Sequence, residues 1–213
     1  MKITVAAPTD LELQAILSTV KRHGAEALVC GIGPAMTAHV LTRHLAAKRT
    51  DTLLLCGLGG IYQNEPACEP LVFLAEREIF ADLGRCGQGT FAPIEIPGTD
   101  IVTSFSMSER WPHAIAREIL RSADFETAAM ATVSCSSADI KRAMQIQDRF
   151  EVKMENMEGA AAALVAEAFK IPLFELRSAS NTAGIVDKSM WCINEALALL
   201  RAEVDRFLGL LYR

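Results

Sequence analysis

The sequence predicts an α/β fold: a single three-layer domain over residues 1–213, in which helices flank a mixed central sheet. Hydrophobic residues make up 51% of the chain but aromatic residues only 6%. The apolar mass is therefore mostly Ala, Leu, Val and Ile, which is typical of helices layered on a buried sheet. Short apolar runs alternate with longer amphipathic segments, and we find no internal repeat or linker. A chain of 213 residues fits one domain or a fused pair.

A capping sequence marks the first strand and the first helix. The apolar run at 3–8 predicts a buried strand. Thr9 and Glu12 have the Thr-x-x-Glu spacing of a capping box, which begins a helix that runs to about His23. Gly24 lies just beyond that helix, where glycine commonly ends one.

Strand, turn and helix follow each other again in the next segment. Residues 27–30 predict a strand and 31–33 a turn. Pro34 occupies the favoured first helical position of a helix that extends to about residue 47. The purely apolar strand at 52–56 leads into the glycine-rich residues 57–60, which we predict as a turn.

The middle of the chain is irregular, and its end is regular. Gly and Pro recur over 84–98 without a period of 2 or 3.6, which predicts a loop that would overhang a site. The last helix, 193–211, carries an apolar stripe on one face. The other predicted strands are 71–75, 78–80, 127–134, 152–154 and 172–177, and the other predicted helices are 113–121, 138–150 and 157–169.

The charge balance and the apolar runs exclude several function classes. The 21 Lys and Arg residues are outnumbered by 26 Asp and Glu, which gives a net charge of −5. Because no basic patch is present that could neutralise phosphates, we expect no nucleic-acid partner. The most apolar run, 159–166, is far shorter than the roughly 20 residues of a membrane helix. The first apolar run is shorter than a signal-peptide core of about 7–15 residues. We therefore expect no membrane partner and a cytoplasmic protein.

Cysteine and histidine spacing gives no sign of a metal site. The chain has six cysteines and four histidines, with no Cys-x-x-Cys pair and no His-Glu-x-x-His motif. We predict no metal, and we interpret the cysteines as reduced core residues. They are Cys30, Cys56, Cys68, Cys86, Cys135 and Cys192.

Two glycine-rich segments follow predicted strands, but neither is a known phosphate loop. The first would need glycine at position 36 to complete a dinucleotide fingerprint, and that residue is Met36. The second is not followed by the Gly-Lys-Ser/Thr of a Walker loop. We interpret Gly31 and Gly33 as tight-turn residues. For Gly59 and Gly60 we favour a backbone that approaches a ligand at the carboxyl edge of the sheet.

Two carboxylates and one amide follow predicted strands. Glu158 precedes the Ala-rich helix and serves either the helix dipole, worth roughly 0.3–1 kcal/mol, or a ligand. Glu12 is either a capping residue alone or a catalytic acid. Ser180 and Asn181 form either a polar turn or part of a site. At one sheet edge, a carboxylate activating water, a carboxylate binding sugar hydroxyls and an amide binding a base would form an N-glycoside hydrolysis site.

Several motifs spread over nearly the whole chain carry a family resemblance. They are Met-Lys-Ile-x-Val-Ala-Ala-x-x-x-x-Glu at 1–12, Gly-Ile-Gly at 31–33, the glycines of 57–60, Asn-Met-Glu-Gly-Ala-Ala at 156–161 and Arg-Ser-Ala-Ser-Asn at 177–181. In order and spacing they resemble the nucleoside phosphorylase and nucleosidase superfamily. Within it, Glu-Ile-Phe-Ala-Asp-Leu-Gly at 78–84, Glu-Asn-Met-Glu-Gly at 155–159 and the asparagine at 181 resemble the futalosine hydrolase family.

The resemblance implies hydrolysis of futalosine to hypoxanthine and dehypoxanthine futalosine, a step of menaquinone biosynthesis. By that resemblance Glu12 positions and deprotonates the attacking water, and Asn181 recognises the departing base. Glu158 binds the ribose 2′- and 3′-hydroxyls, while Met157 packs against the sugar. The remaining substrate-binding residues are Ser180, Gly59 and Gly60. The resemblance further implies no cofactor, a nucleoside substrate and a homodimer or larger homo-oligomer.

Three other functions stay open. A phosphorolytic enzyme of this superfamily needs arginines near the first two turns, yet 8–13 and 31–37 contain no Arg or Lys. A methylthioadenosine/adenosylhomocysteine nucleosidase would carry Asp at position 181. A nucleoside-binding protein without activity would use Glu12 only as a helix cap. The chain also departs from the superfamily pattern at Glu69 and Pro70 and over 87–104, which leaves the contacts to the substrate tail open.

Overall fold

The computed structural model describes residues 1–63, 70–87, 90–95, 97–98, 101–122 and 125–212. The strands within these ranges are β1 Ile3–Ala7, β2 Glu26–Val29, β3 Thr52–Ile61, β4 Val72–Phe80, β5 Gly84–Gly87, β6 Thr90–Pro93, β7 Ser104–Ser106, β8 Glu126–Thr132, β9 Met154–Asn156 and β10 Leu173–Thr182. The helices are α1 Asp10–Arg22, α2 Pro34–Ala47, α3 His113–Ser122, α4 Ile140–Phe150, α5 Gly159–Phe169 and α6 Ile193–Leu211.

Eight of the strands form one mixed sheet in the order β10–β4–β8–β9–β3–β1–β2, with β7 added beside β4. β10 also pairs with β3, so β3, β10, β4, β8 and β9 close into a ring from which β1 and β2 extend. β1, β3 and β10 run parallel, whereas β9 runs antiparallel to β3. The carboxyl ends of three neighbouring strands therefore meet at one edge.

Helices cover both faces of the sheet. On one face, α2 packs against α5, and the alanines of α5 let that helix approach the strands around Leu53 and Phe73 closely. On the other face, α1 and α6 pack together, and Ile16 and Phe207 join a second apolar cluster with Phe174 of β10. This arrangement confirms the three-layer α/β fold with a mixed sheet. No helix among the described residues is long and apolar enough to cross a membrane.

The predicted turn at 57–60 is wrong, because β3 continues through these residues to Ile61. The glycines stay extended since their backbone pairs with β10, Gly57 opposite Arg177 and Gly60 opposite Asn181. The last strand also runs beyond its predicted end at residue 177, to Thr182. Tertiary pairing thus overrides the weak strand propensity of glycine.

Other boundaries also differ from the predictions. The strands predicted at 71–75 and 78–80 are one strand, β4, whose register shifts between Ala75 and Arg77. An extra residue at such a bulge breaks the period of 2 on which the prediction depended. The segment 84–98, predicted as an irregular loop, contains the β5–β6 hairpin; its residues 88, 89 and 96 lie outside the described residues. β9 begins and ends two residues later than predicted, and α5 begins at Gly159.

The prediction for the cysteines is partly confirmed. Cys30, Cys56 and Cys192 are buried thiols that form no disulfide bond, and burial raises the pKa of Cys30 to about 12. Cys135 is free but exposed, so its assignment to the core is wrong. It lies in the loop after β8, whose backbone N–H groups are bound by Asp82. Cys68 and the side chain of Cys86 lie outside the described part of the chain.

Candidate active site

A pocket of about 300 Å³ opens where the carboxyl ends of β1, β3 and β10 meet. Ligands of open α/β sheets commonly bind at such an edge. The pocket wall contains every residue that the sequence and the resemblance predicted for the site: Glu12, Gly59, Gly60, Met157, Glu158, Ser180 and Asn181. It also contains residues to which the sequence assigned no ligand role, among them Ser136, Glu155, Asn156, Trp191 and Ile193.

Glu12 is held at the pocket by two different elements. Its backbone N–H donates to the Thr9 hydroxyl at 3.2 Å, so Thr9 caps α1 as predicted. The carboxylate, however, does not bind the Thr9 backbone N–H as a complete capping box would require. The Leu58 N–H of β3 donates to Glu12 Oε1 at 2.9 Å, and the Thr9 hydroxyl donates to Oε2. Since only 7% of Glu12 is exposed, the carboxylate is oriented before any ligand enters.

The Glu158 side chain does not cap α5, although its position just before that helix suggested this role. Asn156 caps α5 instead, because its Oδ1 accepts the N–H groups of Glu158 and Gly159 at 2.9 and 2.8 Å. The Glu158 carboxylate accepts the Gly33 N–H at 3.1 Å and forms an ion pair with Arg177 at 3.1 Å. Because the Asn156 amide caps the helix, the Glu158 carboxylate remains available on the pocket wall.

Arg177 is a buried cation behind the pocket that sequence reasoning missed. Its side chain has no exposed surface, and it contacts Glu158 through Nη1 and Glu175 through Nε, the latter at 2.8 Å. Nη1 also donates to Leu58 O at 3.2 Å. Burial by itself lowers the pKa of an arginine, but the two carboxylates outweigh it and raise the pKa of Arg177. The one available signal was a pair of charged residues, Glu175 and Arg177, inside an otherwise apolar strand pattern.

Gly57 allows this cation to reach the site. A Cβ at Gly57 would lie 2.5 Å from Arg177 Nη1 and 3.0 Å from Glu12 Oε1. At Gly59, a Cβ would lie 2.7 Å from Glu155 O and from the sulfur of Met154. Close packing within the protein therefore accounts for glycine at both positions, whether or not a ligand also approaches the backbone there.

Ser180 and Asn181 lie at a bulge in β10, where the register to β3 shifts between Ala179 and Asn181. A bulge re-aims side chains, and both residues line the pocket. The Ser180 hydroxyl donates to Asn181 Oδ1 at 2.9 Å, and Asn181 Nδ2 donates to Thr182 O at 3.1 Å. Because a backbone carbonyl only accepts, these two bonds fix which end of the amide is the NH₂ group.

Glu155 anchors the loop beside the pocket. Its carboxylate accepts the Ser137 N–H at 2.9 Å, the Ser137 hydroxyl at 2.7 Å and the Tyr62 hydroxyl at 3.1 Å. Burial and this neighbouring carboxylate both raise the pKa of Tyr62. The sequence placed Glu155 in a motif without a role; the contacts show that it joins β9, Tyr62 just after β3, and the loop that contains Ser136 and Ser137.

The charged groups around the pocket are acidic. Among the described residues, no Lys or Arg lines the pocket. Within the same part of the chain, no three His, Cys, Asp or Glu side chains are grouped so as to hold a metal ion. What the arrangement offers a ligand is two oriented carboxylates, one oriented amide and an apolar surface that includes Ile32 and Trp191.

Comparison with known proteins decides the family. The sequence profile of the Phosphorylase superfamily matches residues 8–211. A curated relative, futalosine hydrolase of Thermus thermophilus, is 32% identical over 192 residues, which cover 89% of this chain and 84% of the relative. This chain belongs to the phosphorylase superfamily and, within it, to the futalosine hydrolase family.

Further relatives agree with this family assignment. Futalosine hydrolase of Streptomyces coelicolor is 29% identical, over 86% of this chain and 78% of the relative. Solved structures show the same fold at lower identity. A futalosine hydrolase mutant of Helicobacter pylori has a TM-score of 0.78 at 18% identity, covering 100% of this chain and 98% of that one. The 5′-methylthioadenosine/S-adenosylhomocysteine nucleosidase of Campylobacter jejuni has a TM-score of 0.77 at 21% identity, covering 99% and 98%.

Proposed function

We propose that this protein hydrolyses the N-glycosidic bond of futalosine, releasing hypoxanthine and dehypoxanthine futalosine. The observation that carries the proposal is one pocket whose wall joins the Glu12 and Glu158 carboxylates and the Asn181 amide. The two futalosine hydrolase relatives support it. The pocket volume of about 300 Å³ is at the lower end for small-molecule sites, which suits a nucleoside with its tail reaching outward.

Glu12 is the proposed general base. The Leu58 N–H and the Thr9 hydroxyl hold its carboxylate, so its remaining lone pairs can accept a proton from a water molecule at the sugar. The water oxygen bonds to C1′ as the C1′–N9 bond breaks, and Glu12 takes the water proton. The electron pair of that bond leaves with the purine as a hypoxanthine anion, which then takes up a proton from solvent water. Positioned bases of this kind contribute typically about 10²–10⁴-fold in rate.

Glu158 is the proposed ribose ligand, with Met157 packed against the sugar. Arg177 and the Gly33 N–H occupy part of its carboxylate, and the remaining lone pairs can accept from the 2′- and 3′-hydroxyls. A carboxylate here gains attraction as positive charge develops on the sugar ring. Glu158 therefore contributes to the rate as well as to affinity.

Asn181 is the proposed reader of the base, supported by Ser180. Its fixed amide leaves one Nδ2 hydrogen for a ligand. Hypoxanthine presents two acceptors, O6 and N7, on one edge, whereas adenine presents an amine donor beside N7. An amide donor therefore favours the 6-oxopurine over adenine, and this is our reason to place the methylthioadenosine/adenosylhomocysteine reaction second.

Phosphorolysis is a poorer fit than hydrolysis. A phosphate dianion needs cationic donors, and the described pocket wall has none. Arg177 cannot serve, because it is fully buried and already pairs with Glu158 and Glu175. Water is therefore the nucleophile in this proposal. We further propose a single nucleosidase domain over 1–213, a homo-oligomer acting in the cytoplasm, and a place in menaquinone biosynthesis.

The test is base release with and without inorganic phosphate. Futalosine, inosine, adenosine and methylthioadenosine are incubated separately with the protein, and the products are identified by chromatography and mass spectrometry. We expect hypoxanthine and the free sugar product from futalosine, with or without phosphate. Formation of a sugar phosphate would make the protein a phosphorylase. Ligand binding without any released base would make it a nucleoside-binding protein.

A further inference from the structure

Two carboxyl groups lie completely buried behind the pocket and take no part in the proposed chemistry. Glu78 is on β4 and Glu175 is on β10, and neither has exposed surface. Neither lines the pocket. Burying an ionised carboxylate is costly unless it is paired, and Arg177 of β10 is the buried cation beside them. The pair therefore requires an explanation.

The two carboxyl groups both lie beside Gly159, at the position that a side chain there would occupy. A Cβ built on Gly159 would collide with the carboxyl group of Glu78 and would lie 2.6 Å from Glu175 Oε2. Glu78 Oε1 and Glu175 Oε2 are the oxygens nearest to that point. Two carboxyl groups this close do not both ionise, since each negative charge disfavours the other.

The hydrogen bonds indicate where the shared proton resides. Glu78 accepts from Asn156 Nδ2 and from the Thr132 hydroxyl, each at 2.6 Å. Glu175 Oε1 accepts from Arg177 Nε at 2.8 Å, but Oε2 receives no hydrogen bond from the described residues. A proton on Glu78 would supply the missing donor. Burial and the charge of Glu175 raise the pKa of Glu78 well above its usual range, while Arg177 opposes the corresponding rise at Glu175.

We propose that Glu78 is a protonated acid that donates a hydrogen bond to Glu175, and that this acid–carboxylate pair holds Arg177 against Glu158. Glu78 and Glu175 are then positioning residues for the carboxylate that binds ribose. The inference rests on the proposed function for its kinetic consequence, but not for the protonation of Glu78.

The geometry links the pair to the pocket in two steps. Glu175 binds Arg177 at Nε, which orients the guanidinium so that Nη1 meets Glu158 Oε2 at 3.1 Å and Nη2 faces Asn156 Oδ1 at 3.4 Å. A neutral Glu78 leaves the charge of Arg177 to be shared between Glu175 and Glu158. An ionised Glu78 would compete with Glu158 for the positive charge of Arg177 and would weaken the ion pair between Arg177 and Glu158.

The first measurement is infrared difference spectroscopy of protein labelled with ¹³C at glutamate side chains. We expect a protonated-carboxyl carbonyl band at neutral pH in the wild type, and its loss in Glu78→Gln. Glu76→Gln, two residues earlier on β4 and half-buried, is the matched control and should keep the band. A wild type without the band, or a band that persists in Glu78→Gln, would overturn the inference.

The second measurement is kinetic. Glutamine keeps a neutral donor at position 78, so Glu78→Gln should retain kcat and KM within about fivefold of the wild type. Glu78→Leu removes the donor and should lower kcat/KM by about tenfold or more, with both kcat and KM affected. Equal loss in the two variants, or no loss in Glu78→Leu, would contradict the positioning role. If the wild type releases no base, the proposed function fails and the infrared result alone decides the protonation.

Discussion

Exchanging Asn181 for Asp replaces one NH₂ group by an oxygen at the point where the proposed site meets the base. In the wild type, Nδ2 donates to Thr182 O at 3.1 Å and Oδ1 accepts from Ser180 at 2.9 Å. Aspartate in the same rotamer would put a carboxylate oxygen against the Thr182 carbonyl oxygen. The side chain must then rotate, which breaks the Ser180 bond, or take up a proton.

The magnitude follows from the bonds lost. An unpaired polar group in a partly buried site costs about 1–3 kcal/mol, which is a factor of about 5 to 150 in an equilibrium constant. The variant also loses the donor facing O6 and N7 of hypoxanthine, whereas adenine brings its own amine donor. We therefore expect kcat/KM for futalosine, relative to that for an adenine nucleoside, to fall by roughly tenfold or more.

The assay measures both substrates in parallel, with released hypoxanthine and adenine quantified by chromatography. Asn194→Asp makes the same chemical change at an exposed position of α6 and should leave the substrate ratio unchanged. An Asn181→Asp enzyme that keeps the wild-type ratio of hypoxanthine to adenine release would refute this account of base selection.

Three further substitutions test the rest of the pocket. Glu12→Gln can keep the bonds to Leu58 and Thr9, so melting should change little while kcat falls by about 10²–10⁴-fold; unchanged turnover would return Glu12 to a structural role. Glu158→Ala should lower kcat and raise KM. The wild-type enzyme should show the same two changes when it is given a 2′-deoxynucleoside in place of the ribonucleoside. A Glu158→Ala variant that loses only thermal stability would argue against ribose binding. Gly57→Ala forces Arg177 or Glu12 to move, so calorimetry should show a loss of about 1–3 kcal/mol and turnover should fall. Gly209→Ala in α6, where a Cβ would only make an ordinary 3.9 Å contact with His23, should do neither.

Local sequence patterns were sufficient for the alternation of strands and helices and for several helix ends. Thr9 caps α1, and Pro34 begins α2, as the spacing of single residues predicts. These features depend on hydrogen bonds and dihedral preferences within one turn, so a short window of sequence contains their whole cause. The motifs of the resemblance likewise brought Glu12, Glu158 and Asn181 to notice, and the structure lines one pocket with them.

The partners of Glu12, Glu158 and Arg177 that are distant in sequence were decided by the tertiary structure alone. The Leu58 N–H that holds Glu12 is 46 residues away in sequence, and the Gly33 N–H that binds Glu158 is 125 residues away. Extended glycines in β3 and a bulge in β10 set that register, and neither has a local signature. The burial of Glu78, Glu175 and Arg177 as one group also depends on two strands and a helix meeting at Gly159. Sequence patterns indicate the local conformation that a residue favours. The partners of that residue across a sheet depend instead on how the whole chain packs.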